Sequence, residues 1–152
     1  MSIYGVTKGT ELEKTIDIFM KAETNGSMLY QALARMVREQ GYADAADEFV
    51  KIANQEAIHS GYFAVLNGKY TQDFWKLVKG IHKAEAAASQ SITPMIEALK
   101  VMGLNEAANE LSVFMDQETQ HGIITERLLK KHAPELLEND ADDVSVMSML
   151  TD

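Results

Sequence analysis

The sequence predicts an all-α protein, a four-helix bundle built from two copies of one helix hairpin. The chain repeats itself at an offset of 62 residues. Lys21-Ala22-Glu23 returns as Lys83-Ala84-Glu85, Gly41-x-x-x-Ala45-Ala46-x-Glu48 as Gly103-x-x-x-Ala107-Ala108-x-Glu110, and Gln55-Glu56-x-x-His59 as Gln117-Glu118-x-x-His121. A repeat of this kind is one supersecondary unit used twice. Apolar residues also recur in alternating steps of three and four, the seam of a helix packed in a bundle. Within each repeat a glycine, Gly41 or Gly103, stands where a helix should stop.

The first helix is expected over about Thr10–Gln40, with Thr10-x-x-Glu13 as a capping box and Gly41 beyond its end. Its seam reads Leu12, Ile16, Phe19, Glu23, Gly26, Tyr30, Leu33, Val37. The second spans about Ala43–Leu66 and ends at Asn67-Gly68, with Phe49, Ile52, Glu56, His59, Phe63 and Leu66 in its seam. The third runs from about Thr71 to Met102 through Phe74, Val78, Ile81, Glu85, Ala88, Ile92, Met95 and Leu99. Pro94 lies inside it, removes one backbone bond and is expected to kink it. The fourth covers about Asn105–His132, where Lys130, Lys131 and His132 suit the negative end of the helix dipole and Pro134 stops the helix. Residues 1–134 thus read as one bundle and 135–152 as an acidic, flexible C-terminal tail.

Composition excludes several classes. The 152 residues suffice for one domain with a real core. No apolar run reaches the roughly 18–20 residues of a membrane span, and the N-terminus has no apolar core of a secretory signal. The absence of cysteine removes disulfides, thiolate zinc sites and cysteine-ligated iron–sulfur centres from these residues, and fits a cytoplasmic protein. A net charge of −9 argues against nucleic acid as a partner.

The seams carry polar residues that a core does not tolerate unaided. Glu23 is followed 33 residues on by Glu56-x-x-His59, and Glu85, 33 residues on, by Glu118-x-x-His121. Four carboxylates in one bundle core repel one another, and no lysine or arginine stands in the seams to balance them. Two divalent cations would neutralise the four, and the two imidazoles add nitrogen donors without charge. Residues three apart share a helix face, so each Glu-x-x-His offers an oxygen and a nitrogen to one metal. A glutamate from each of two helices plus Glu-x-x-His from each of two others is the ligand set of a ferritin-like dimetal bundle. The mixed shell suits iron or manganese rather than calcium or magnesium. His82 reads as a solvated-face residue, His132 as a helix C-terminal cation, and the nine methionines as core filler.

These residues resemble the rubrerythrin family of the ferritin-like superfamily, over about residues 10–132. The resemblance implies a di-iron centre, two iron ions cycling between Fe2+ and Fe3+, held by Glu23, Glu56, His59, Glu85, Glu118 and His121. Glu56 and Glu118 would bridge the metals, and Glu23 and Glu85 would be terminal. Tyr30, seven residues after Glu23, matches a tyrosine that donates a hydrogen bond around the centre. The implied activity is reduction of hydrogen peroxide, or oxygen, in oxidative-stress defence. Two departures stand out. Rubrerythrins usually carry a further glutamate three residues after the third-helix ligand, where this chain has Ala88, which leaves a symmetric set closer to bacterioferritin-like centres. The rubredoxin domain is missing, so electrons are expected from a separate donor such as a rubredoxin. The alternatives are a ferroxidase feeding iron storage and a bundle that uses metal for stability alone.

The link between the hairpins is short. About four residues, Asn67-Gly68-Lys69-Tyr70, separate the second and third helices. They reach at most ~14 Å, against ~45 Å for a 30-residue helix, so a ferritin-type crossover does not fit. A homodimer in which hairpins are exchanged between chains is one solution; a shortened second helix is another.

Overall fold

The computed structural model describes residues 2–138, and the rest of the expected tail lies outside the described residues. Among these there are five helices and no strand: α1 (Glu13–Glu39), α2 (Ala43–Leu66), α3 (Phe74–Val101), α4 (Asn105–His132) and α5 (Glu135–Glu138). The chain is all-α, as its periodicity requires. Where the sequence reads as one bundle, the structure divides into two compact units, one ending at Thr71 and one beginning at Gln72. Each unit is one copy of the repeated hairpin.

In the first unit α1 and α2 pack through small side chains. Met20 and Ala34 of α1 and Ala46, Ala53 and Ala64 of α2 are all buried, and short side chains let the helix backbones approach closely. The turn between them is a Schellman closure. Gly41 takes φ +91°, its N–H donates to Arg38 O and that of Tyr42 to Val37 O, each at 3.0 Å. Gly103, its repeat partner, closes α3 in the same way at φ +77°.

The start of α1 differs from the expected capping box. The helix begins at Glu13, and Leu12 makes no side-chain cap. The preceding residues are instead bonded to the end of α2. Gly5 N–H donates to Val65 O (2.9 Å), and Thr7 donates to Leu66 O through both N–H (3.1 Å) and hydroxyl (2.8 Å). The Asn67 amide donates to Glu13 O (2.9 Å), and the Tyr4 hydroxyl to Tyr70 O. Those from Gly5 and Thr7 reach carbonyls at the C-terminus of α2, where the helix itself supplies no donor. Glu13 still reaches back, but accepts from Gly9 N–H (2.7 Å) rather than from Thr10.

In the second unit Asp73, rather than Thr71, opens α3, its carboxylate accepting from Lys76 N–H. The helix then runs through Pro94 without interruption. Ile96 of α3 and Ala108, Gly122 and Leu129 of α4 are buried in this unit. Trp75 stacks on His132 with ring centroids 5.2 Å apart, so the helix C-terminal histidine also packs on a ring at the start of α3. Glu135–Glu138, the first residues of the expected tail, form α5 against α3 and α4.

Two helices can bury only the faces they turn to each other. The repeat partners Ala46 and Ala108 are fully buried, whereas the seam residues Phe19 and Phe114 remain about half exposed, at 51% and 52%.

Candidate metal centre

Each hairpin assembles one half of the predicted ligand set. Glu23 comes from the middle of α1, and Glu56 and His59 from one face of α2, a helical turn apart. His59 Nδ1 lies 3.2 Å from Glu23 Oε2. In the second unit His121 Nδ1 lies 3.6 Å from Glu85 Oε2 and 3.5 Å from Glu118 Oε2. In both triads one donor atom from each residue lies within 4.8 Å of the others. Two ligands held about 2.1 Å from one ion can stand at most about 4.2 Å apart, so small side-chain rotations suffice to close either triad on a metal. Two carboxylates and one imidazole are an oxygen–nitrogen donor set that fits iron or manganese.

The carboxyl pairs titrate together. Glu23 raises Glu56 above the usual glutamate range by sharing a hydrogen bond with it, and burial adds to the rise. Glu23 itself is lowered by that same bond and by His59. In the second triad Glu118 raises Glu85, and Glu118 is lowered by the bond with Glu85 and by His121. The repeat assigns the raised member to α2 in one triad and to α3 in the other. A proton shared between two near-equivalent carboxyls belongs to the pair, so the joint behaviour carries the physics.

Two features were not read from the sequence. Gly26 sits one turn after Glu23, where an added Cβ would lie 3.4 Å from both Cδ and Oε2 of Glu56. A glycine inside a helix costs about 1 kcal/mol relative to alanine, and this seam glycine was the available signal. His82 is not on a solvated face. It is half-buried between α3 and α4, with Nδ1 3.1 Å from Gly122 O and 3.3 Å from Thr125 Oγ1. It occupies the repeat position of buried Met20, which is where its burial was legible. Tyr30 stacks on Phe49 with centroids 6.0 Å apart, which places its ring against α2.

The rubrerythrin family model matches residues 16–133, a span that includes both triads. The chain belongs to the rubrerythrin family. An uncharacterized protein of Methanocaldococcus jannaschii is 28% identical over 128 residues, covering 84% of this chain and 91% of the relative. No solved structure matches the chain. Membership carries with it the all-α, ferritin-like fold class. Among the described residues no helix is long and apolar enough to cross a membrane. This rubrerythrin-family chain keeps both Glu…Glu-x-x-His sets and has Ala88 one turn after Glu85, at the repeat position of Gly26.

Proposed function

We propose that the protein is a di-iron oxidoreductase that reduces hydrogen peroxide, with oxygen as the alternative oxidant. The observation that carries this reading is the pair of matching triads in a rubrerythrin-family chain, each with its donor atoms within 4.8 Å of one another. In this reading the two triads together would supply the ligands for two metal ions. Glu23, Glu56, His59, Glu85, Glu118 and His121 would hold the metal ions, with Glu56 and Glu118 in the shared role that the family resemblance implies. A bound ferrous pair supplies the two electrons needed to break an O–O bond.

The chain's own residues do the rest. The four glutamates balance the charge of two divalent ions and must release their shared protons to do so. The imidazoles complete the shell without adding charge. Tyr30 is proposed as a hydrogen-bond donor beside the α1–α2 ligands. These 152 residues hold no cysteine and so supply no rubredoxin-type iron site themselves; a separate electron donor such as a rubredoxin is part of this reading. Manganese fits the same donors, and a cytoplasmic homodimer belongs to this reading.

Anaerobic ferrous titration followed by hydrogen peroxide tests it, monitored by the near-UV absorption of the oxidised metal pair. The expected result is two iron ions per centre, oxidised faster by peroxide than by oxygen. A storage function is the second reading, favoured by Ala88, which leaves the ligand set symmetric. Faster oxidation by oxygen, with iron loading well past two per centre, would establish storage and sink the peroxidase reading.

A further inference from the structure

The two hairpins are repeats, so each is an internal control for the other, and they differ sharply beside the ligands. Between α3 and α4 lies a groove of about 320 Å³, lined by His82, Glu85 and Ala86 on one side and Thr119, Gly122, Ile123 and Glu126 on the other. One of its walls, Glu85, is a candidate ligand. At the repeat positions of His82, Thr125 and Glu126 the first hairpin carries Met20, Phe63 and Ala64. Met20 and Ala64 are buried there. The second hairpin has placed an imidazole and a carboxylate where the first has packed hydrocarbon.

The hydrogen bonding of His82 defines what it offers. Its Nδ1 faces the Gly122 carbonyl, which can only accept, so Nδ1 carries the proton and donates. The Thr125 hydroxyl, the other neighbour of Nδ1, has the carbonyls of His121 (2.9 Å) and Gly122 (3.0 Å) to donate to. A neutral ring fixed this way keeps a lone pair on Nε2. A backbone carbonyl holding one ring nitrogen so that the other can bind metal is the usual support for a ligating histidine. Glu126 is paired with Lys130 at 2.8 Å, and both side chains reach solvent, with 42% and 62% of each exposed. Such a surface pair is weak, and a divalent cation can displace it.

We propose that this groove is a loading route for divalent transition-metal cations, in which His82 and Glu126 bind the ion transiently and pass it to Glu85. The inference rests on the dimetal reading above but not on any reaction at the centre. His82 and Glu126 act as transit ligands, and the six-residue set remains the destination.

Cobalt(II) is the probe, mixed rapidly with the full-length apo-protein and followed by its visible absorption. Glu126→Gln and His82→Gln should slow loading on the order of tenfold while leaving the final metal content unchanged. Lys130→Gln, which removes the competing cation, should load at least as fast as the parent. Glu126 and Lys130 are surface residues, so these two variants decide the matter even if His82→Gln disturbs packing. Parental rates in Glu126→Gln would overturn the route, as would a lower final content without slower loading. If the parent chain takes up no cobalt, the dimetal reading falls and the route with it; if the parent fills and the variants fill equally fast, only the route falls.

Discussion

Gly26 and Glu56 show how closely the first triad is fitted. An alanine at position 26 would place a Cβ 3.4 Å from the Glu56 carboxyl, at the near edge of van der Waals contact, and so limit how that carboxyl can turn onto a metal. Gly26→Ala should therefore raise apo-protein stability by up to about 1 kcal/mol, through helix propensity, while lowering metal affinity on the order of tenfold. Denaturant melts and cobalt titration read the two effects separately, and a variant that binds metal normally would show that the Glu56 carboxyl is not confined by this contact. The shared protons set the sign of the pH dependence. Glu56 and Glu85 hold theirs above the ordinary glutamate range because Glu23 and Glu118 lie beside them. Metal needs these carboxyls deprotonated, so affinity should fall as pH falls, beginning before an isolated glutamate would titrate. Proton release on cobalt binding, measured at stepped pH in weak buffer, checks this; affinity that stays flat down to the ordinary glutamate range would contradict it.

The helices themselves depend on a few local devices. The ends of α1 and α3 each rest on a glycine with positive φ, Gly41 at +91° and Gly103 at +77°. Substituting alanine at either should cost about 1–2 kcal/mol, because a Cβ disfavours the left-handed region. Equal losses in thermal melts would show the two hairpins to be energetically alike. The end of α2 has the same glycine closure, with Gly68 at φ +57° donating to Val65 O (3.1 Å) and Lys69 N–H to Ala64 O (3.0 Å), and Thr7 adds further bonds to it. Thr7→Val keeps the shape and deletes the hydroxyl donated to Leu66 O, with an expected loss of about 1 kcal/mol. Of these features the glycine stops were legible in sequence, because φ > 0 selects glycine. The strap over α2 was not, because it joins residues about 60 apart with no periodic pattern to mark it.

For the whole molecule, the connector sets the constraint. Seven residues, 67–73, join α2 to α3 and reach at most about 25 Å, whereas the 28 residues of α3 extend about 42 Å. That short reach is the motive for the proposed homodimer with exchanged hairpins. Native mass spectrometry of the metal-loaded protein should give a dimer; a monomer carrying two metals would end the exchange model. Metal that binds only the folded form should also raise the unfolding midpoint, by roughly 2.7 kcal/mol of stability at a hundredfold excess over Kd. Chelation should reverse it.

The sequence by itself determined the helices, the repeat and the candidate ligands, because each leaves a mark at fixed spacing. A helix writes its buried face at steps of three and four, and a metal ligand on a helix must recur with that face. Glu23, Glu56, His59, Glu85, Glu118 and His121 were legible for that reason. What only the tertiary structure decided lies between helices. His82 looked like a solvated residue until α4 brought the Gly122 carbonyl to its Nδ1 and Glu126 into the same groove. Their roles depend on the distance between two backbones, which Gly122 and Ala108 make small and which no spacing along one helix encodes.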